Sequence, residues 1–180
     1  LNAPAGSKQI LPLSCEAHVA SVWAGYFGVK IDEMHFLERL PRSDNPEKGF
    51  VGNPKGSWGR TPPYDYGVHA EPVAELLRLF GVRAFAEKDL SFETLKNEIA
   101  SGRPVIVWVV GHTGFANSET YIAQDGEEVQ VAPYEHTVIV TGYDPFGVRI
   151  LDGDETYDRP LGTFLRSWSA LGNMAIIRGH

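Results

Sequence analysis

Between Cys15 and Gly28 the chain reads CEAHVASVWAGYFG, a stretch that predicts a helix with apolar or small residues on nearly every face. A helix of that kind is buried on nearly every side, so the rest of the chain has to enclose it. Ser14 stands where an N-cap belongs, Pro12 closes the preceding loop, and Gly28 supplies the stop.

What encloses the helix comes late in the chain. PVIVWVV (104–110) reads as a buried strand, EHTVIVTGY and GVRILD as a hairpin, and MAIIR as a closing strand. YIAQDGEEVQV predicts another hairpin, turning at Asp125-Gly126. Further helices are expected at 32–40, at 69–80 with Gly81 past its end, at 92–101 behind a Ser91 cap, and in PLGTFLRSWSALG. A short strand is expected near 82–86. Helices first and antiparallel strands later give an α+β fold class.

Residues 41–68 form one long connection rich in Gly, Pro and aromatics. Connections of that length are often functional. Phe50, Trp58, Tyr64 and Tyr66 give it more to bury than a flexible linker has, so it either borders an active-site cleft or covers a hydrophobic flank. The residues weigh the two readings equally.

At 180 residues the chain suits a single domain, 1–180, with a substantial core. A net charge of −7 argues against nucleic acid as partner, which needs a basic surface. No run of Lys and Arg suggests an anionic membrane, and no apolar stretch approaches the ~20 residues of a membrane span. The single cysteine permits no internal disulfide, so the compartment stays open. The chain begins at Leu1 and not Met, as a processed, trimmed or excised chain would, and secretion after loss of an N-terminal signal fits this too.

That cysteine, Cys15, occupies the first turn of the apolar helix, where unpaired N–H groups favour a thiolate. A lone cysteine is more often a small core residue than a nucleophile. Gln9, six residues upstream, is spaced so that its amide could donate to an oxyanion together with the Cys15 N–H. His136 opens one strand of the predicted hairpin and Asp152 closes the other. Such a hairpin can deliver a base and the carboxylate that orients it, with the Cys15 sulfur expected in a cleft facing His136.

These pieces resemble the C39-like cysteine peptidases, the bacterial stand-alone domains related to bacteriocin-processing peptidases. The likeness rests on Q-x5-C-E-A (9–17), DNPEKGFVGNP with YGVHAEPVAELL, LKNEIASGRPVIVWV, and HTVIVTGYD followed by VRILD, in the family's order along nearly the whole chain. The resemblance implies a papain-like fold, with the Cys-bearing helix packed on an antiparallel sheet that carries His and Asp. It implies Cys15 as nucleophile, His136 as general base and acid, Asp152 as the orienting carboxylate and Gln9 in the oxyanion hole, acting on a peptide or protein substrate through a thioester. No cofactor or metal is needed for that chemistry, and the oligomeric state stays open.

Two positions depart from the family pattern. Glu16 follows the cysteine where glycine is common, and LDGDE replaces the commoner Asp-Pro, so Asp154 competes with Asp152. A four-residue hairpin loop at 144–147 would pair Tyr143 with Val148 and turn Asp152 away from His136, whereas a five-residue loop would place the two on one face. The family match favours Asp152. His18 reads as a helix-packing residue, His112 as a cleft lining or a strand end, and DGDETYD (152–158) as a solvated turn without EF-hand spacing. Acyl transfer or deamidation on the same triad, and a non-catalytic peptide-binding module, remain alternatives to peptide hydrolysis.

Overall fold

The computed structural model describes residues 3–179. The apolar helix is α1 (Cys15–Tyr26), and Ala17, Ala20, Trp23 and Ala24 on it are fully enclosed. The chain leaves it through Gly28, whose φ of +84° is a conformation glycine reaches without strain. Ser14 does hold the N-cap position, but its hydroxyl makes no cap hydrogen bond. It donates instead to Glu33 Oε1 at 2.6 Å. Glu33 begins α2 (Glu33–Arg39), and its other oxygen takes His18 Nδ1 at 2.8 Å. His18 is therefore a packing residue that ties α1 to α2.

After the long connection come α3 (Ala70–Leu79), β1 (Phe85–Glu87), and α4 (Phe92–Ala100), whose Ser91 cap accepts from Thr94 N. The strands β2 (Val105–Val110), β3 (Glu119–Ile122), β4 (Glu128–Val131), β5 (Glu135–Tyr143), β6 (Gly147–Asp152) and β7 (Glu155–Pro160) follow, then α5 (Leu161–Ser169) and β8 (Ala175–Ile177). Six of the strands form one sheet in the order β1-β8-β2-β5-β6-β7, and each neighbouring pair is antiparallel. β3 and β4 pair separately.

At β2 both faces of this sheet are covered, which is why the strand lacks any polar residue. Ile106, Trp108 and Val110 pack with α1 and α3, while Val105, Val107 and Val109 pack with α4 and α5. Successive strand side chains point to opposite faces, and the same division runs through β5: Ile139 lies on the α1 side, Val138 and Val140 on the other. The enclosed indoles find carbonyl acceptors, Trp23 at Pro104 and Trp108 at Val68.

β7 corrects the expectation of a solvated turn at 152–158. Only Gly153 and Asp154 turn, and Glu155–Pro160 pairs with β6 from Asp152↔Glu155 to Gly147↔Pro160. Its exposed, polar residues suit the outer strand of a sheet, where one face stays in water.

The β5–β6 hairpin decides the position of Asp152. Tyr143 does pair with Val148, the register that would turn Asp152 away from His136. A bulge between Val140 and Gly142 then places Thr141 out of pairing, so that Ile139 faces Leu151 and Val140 faces Ile150. One extra residue flips the alternation back. Asp152 consequently shares the His136 face of the sheet.

Candidate active site

His136 lies at the start of β5 and Asp152 at the end of β6. His136 Nε2 is 2.7 Å from Asp152 Oδ1. The second carboxylate oxygen takes His112 Nδ1 at 2.8 Å and the Tyr157 hydroxyl at 2.9 Å. Burial alone would raise the Asp152 carboxyl, but hydrogen bonds from His136, His112 and Tyr157 outweigh it and hold the group well below the usual carboxylate range. A carboxylate so held keeps its charge and fixes one imidazole nitrogen of His136.

These groups border a cleft of about 500 Å³ lined by Gln9, Pro12, Trp58, His112, His136, Asp152 and Asp154 among others. Trp58 forms one wall. Its ring meets the edges of His112 at 5.7 Å and His136 at 5.8 Å, and its indole N–H donates to the Glu135 carbonyl at 2.8 Å. The long connection thus divides. Trp58 belongs to the cleft, Phe50 and Tyr66 are buried in two separate hydrophobic clusters, and Tyr64 stands 61% exposed.

Gln9 reaches the cleft, but its amide N–H groups turn back to its own loop, donating to Leu11 O at 2.8 Å and Pro12 O at 3.1 Å. Asp154 lines the cleft next to Asp152 and holds an exposed ion pair with Lys8 at 3.8 Å; His136 is bonded by Asp152, not by Asp154.

Cys15 is the first residue of α1 and is 5% exposed. Its thiol donates to Glu16 Oε2 at 3.3 Å. Among the described residues no hydrogen bond joins it to His136, and it is not part of the cleft lining. The reason lies in strand alternation: Glu135 and Thr137 occupy the α1 side of β5, opposite to His136, and they are the residues beside the sulfur. The helix N-terminus was expected to favour a thiolate, but burial, Glu16 and Glu135 together push the Cys15 thiol well above its usual value. The Thr137 hydroxyl and N–H act weakly the other way.

Sequence reasoning noted Glu16 only as a departure from the family pattern and missed Glu135 and the pair they form. Glu16 is 0% exposed and Glu135 2% exposed. Glu16 Oε1 accepts from Val68 N at 2.7 Å, while among the described residues neither oxygen of Glu135 has a hydrogen-bond partner. Gly67 makes room for both, since a Cβ there would collide with Glu16 and crowd Glu135. Burial raises the Glu16 carboxyl to about 7, and burial plus the neighbouring Glu16 raises Glu135. The sequence signal was a carboxylate directly beside each presumed catalytic residue, in CEA and in EHT.

A family model described as "Peptidase_C39 like family" matches residues 4–176. The chain belongs to this C39-like peptidase family. A crystal structure from Bacillus anthracis described as a "putative C39-like peptidase" superposes with a TM-score of 0.83 at 25% identity, covering 98% of this chain and 94% of that one. The mixed α+β architecture with Cys15 on the N-terminal helix is therefore the fold of C39-like peptidases. The uncharacterized protein YvpB of Bacillus subtilis (strain 168) is 26% identical over 145 residues, with 74% of this chain and 52% of YvpB covered. The C39-like chain thus spans about half the length of that curated relative. Among the described residues, no helix is long and apolar enough to cross a membrane.

Proposed function

We propose that this C39-like chain is a cysteine peptidase in which Cys15, His136 and Asp152 form the triad and Gln9 contributes to the oxyanion hole. The observation that carries the reading is the 2.7 Å bond between His136 Nε2 and Asp152 Oδ1 on the wall of a cleft, with Cys15 heading the α1 helix. With Nε2 held by Asp152, the Nδ1 side of the imidazole is left to accept a proton.

The surroundings of Cys15 define the first step. A standing thiolate is disfavoured next to Glu16 and Glu135, so the first step is a local rearrangement that frees the thiol from Glu16 and brings it within reach of His136. His136 then removes the thiol proton as the sulfur attacks the scissile carbonyl carbon. The Cys15 N–H and a Gln9 amide released from its own loop stabilise the oxyanion. The C–N bond breaks as the imidazolium protonates the leaving amine, which leaves a thioester. Water, deprotonated by His136, attacks the thioester, and the carboxylic acid departs with regeneration of the Cys15 thiol.

The test is digestion of a peptide library by the wild-type chain and by Cys15→Ala. Cleavage by the first and none by the second supports the reading. Equal digestion by both, or by neither, rejects it.

A further inference from the structure

Beneath the cleft, Cys15 Sγ, a Glu16 oxygen and a Glu135 oxygen lie within 4.8 Å of one another. All three groups are enclosed, at 5%, 0% and 2% exposure. Each could carry negative charge, and among the described residues no cation contributes to the surroundings of any of them. Isolated buried carboxylates are costly unless they meet a positive charge or a proton.

Two further facts point to a ligand. Among the described residues both Glu135 oxygens lack any hydrogen-bond partner, and Thr137, 0% exposed on the same face of β5, has only the Cys15 sulfur for its hydroxyl. These acceptors converge on the sulfur. A buried carboxylate with no donor at either oxygen is a rare condition in a folded protein.

From this juxtaposition we propose that Cys15, Glu16 and Glu135 form a binding site for a zinc-type divalent cation. One sulfur and two carboxylates are a donor set that zinc accepts and that magnesium or calcium, which take oxygen ligands alone, do not. Bond lengths of about 2.3 Å to sulfur and about 2.0–2.2 Å to oxygen suit the 3.3 Å between Cys15 Sγ and Glu16 Oε2, with the Glu135 oxygen drawn toward the same centre. The Thr137 hydroxyl is placed to complete or support the set. Binding displaces protons from the thiol and from whichever carboxyl holds one, so it weakens as pH falls.

An ion held here keeps the sulfur away from His136, so the site is inhibitory. That consequence rests on the peptidase reading, while the site itself does not.

The experiment uses the full chain after chelator treatment, titrated with Co²⁺ as probe and with Zn²⁺ in competition. One Co²⁺ per chain, with sulfur-to-cobalt charge-transfer absorption that Zn²⁺ abolishes, is expected. Glu135→Gln keeps the shape of the side chain and removes a ligand charge, so it should weaken Zn²⁺ by about 10–100-fold or more, with thermal unfolding run to confirm the fold. Zn²⁺ should also slow iodoacetamide labelling of Cys15, a readout independent of turnover. Absence of Co²⁺ binding overturns the proposal. Binding without a sulfur band also overturns it, since that points to His112, His136 and Asp152, which contain no sulfur. Unchanged affinity in a folded Glu135→Gln protein does the same.

Discussion

Asp152 reaches His136 across a hairpin whose loop alone would have kept them apart. Tyr143 pairs with Val148, and only the bulge at Thr141 returns Asp152 to the face that carries His136, where the two side chains meet at 2.7 Å. The same carboxylate also holds His112 and Tyr157, so it is the centre of the arrangement and not an accessory to it.

Asp152→Asn should leave the fold intact and lower kcat by up to about 10⁴-fold, because the amide no longer holds His136 in one tautomer. Asp154→Asn should change kcat little, since Asp154 pairs with Lys8 on the exposed rim. Steady-state kinetics of the two variants decide the third triad member. The opposite ranking would transfer that role to Asp154.

Alkylation of Cys15 should be slow at mildly acidic pH and should rise with pH, because burial, Glu16 and Glu135 keep the thiol protonated. In Glu135→Gln one of the opposing charges is gone, so the profile should move to lower pH. Intact-mass measurement of iodoacetamide labelling across pH reads this directly. Rapid labelling of the wild type near pH 5 would mean a standing ion pair with His136.

Trp58→Ala should raise KM or alter sequence preference, since the indole is a wall of the cleft and packs on both His112 and His136. Tyr64→Ala should be neutral in kinetics and in melting temperature, because its ring is 61% exposed, with Arg60 against one face. Phe50→Ala, by contrast, removes a ring that is 1% exposed and should cost about 3–5 kcal/mol of stability. Thermal unfolding and kinetics on the three variants separate cleft from scaffold within one loop.

Glu47 anchors the long connection to His69 at 2.7 Å and to Lys88 at 2.8 Å. Burial opposes its ionised form, yet His69 and Lys88 outweigh burial and lower the carboxyl to about 2. A depressed carboxylate adds stability that is fully present above its unfolded value of about 4.3 and is lost as pH falls through the folded value. The stability gap between wild type and Glu47→Gln should therefore be constant near neutral pH and shrink between about pH 4.5 and 2. Urea unfolding at several pH values measures it. A gap that grew toward acid would contradict the assignment.

The helices, the buried strands and the placement of Cys15, His136 and Asp152 on particular elements were legible along the chain, because each follows from local periodicity and capping. β7 was not, since ETYDRP is polar on an outer strand and resembles a turn. The carboxylate pair Glu16–Glu135, the inward sulfur of Cys15 and the folded-back amide of Gln9 depend on which faces of α1 and β5 meet and on which rotamers that packing leaves open. Residues 15, 67 and 135 are brought together by tertiary packing alone, and no local pattern encodes their distance. The Thr141 bulge makes the same point most sharply: one residue out of pairing turns a carboxylate through the sheet, and hairpin length alone did not reveal it.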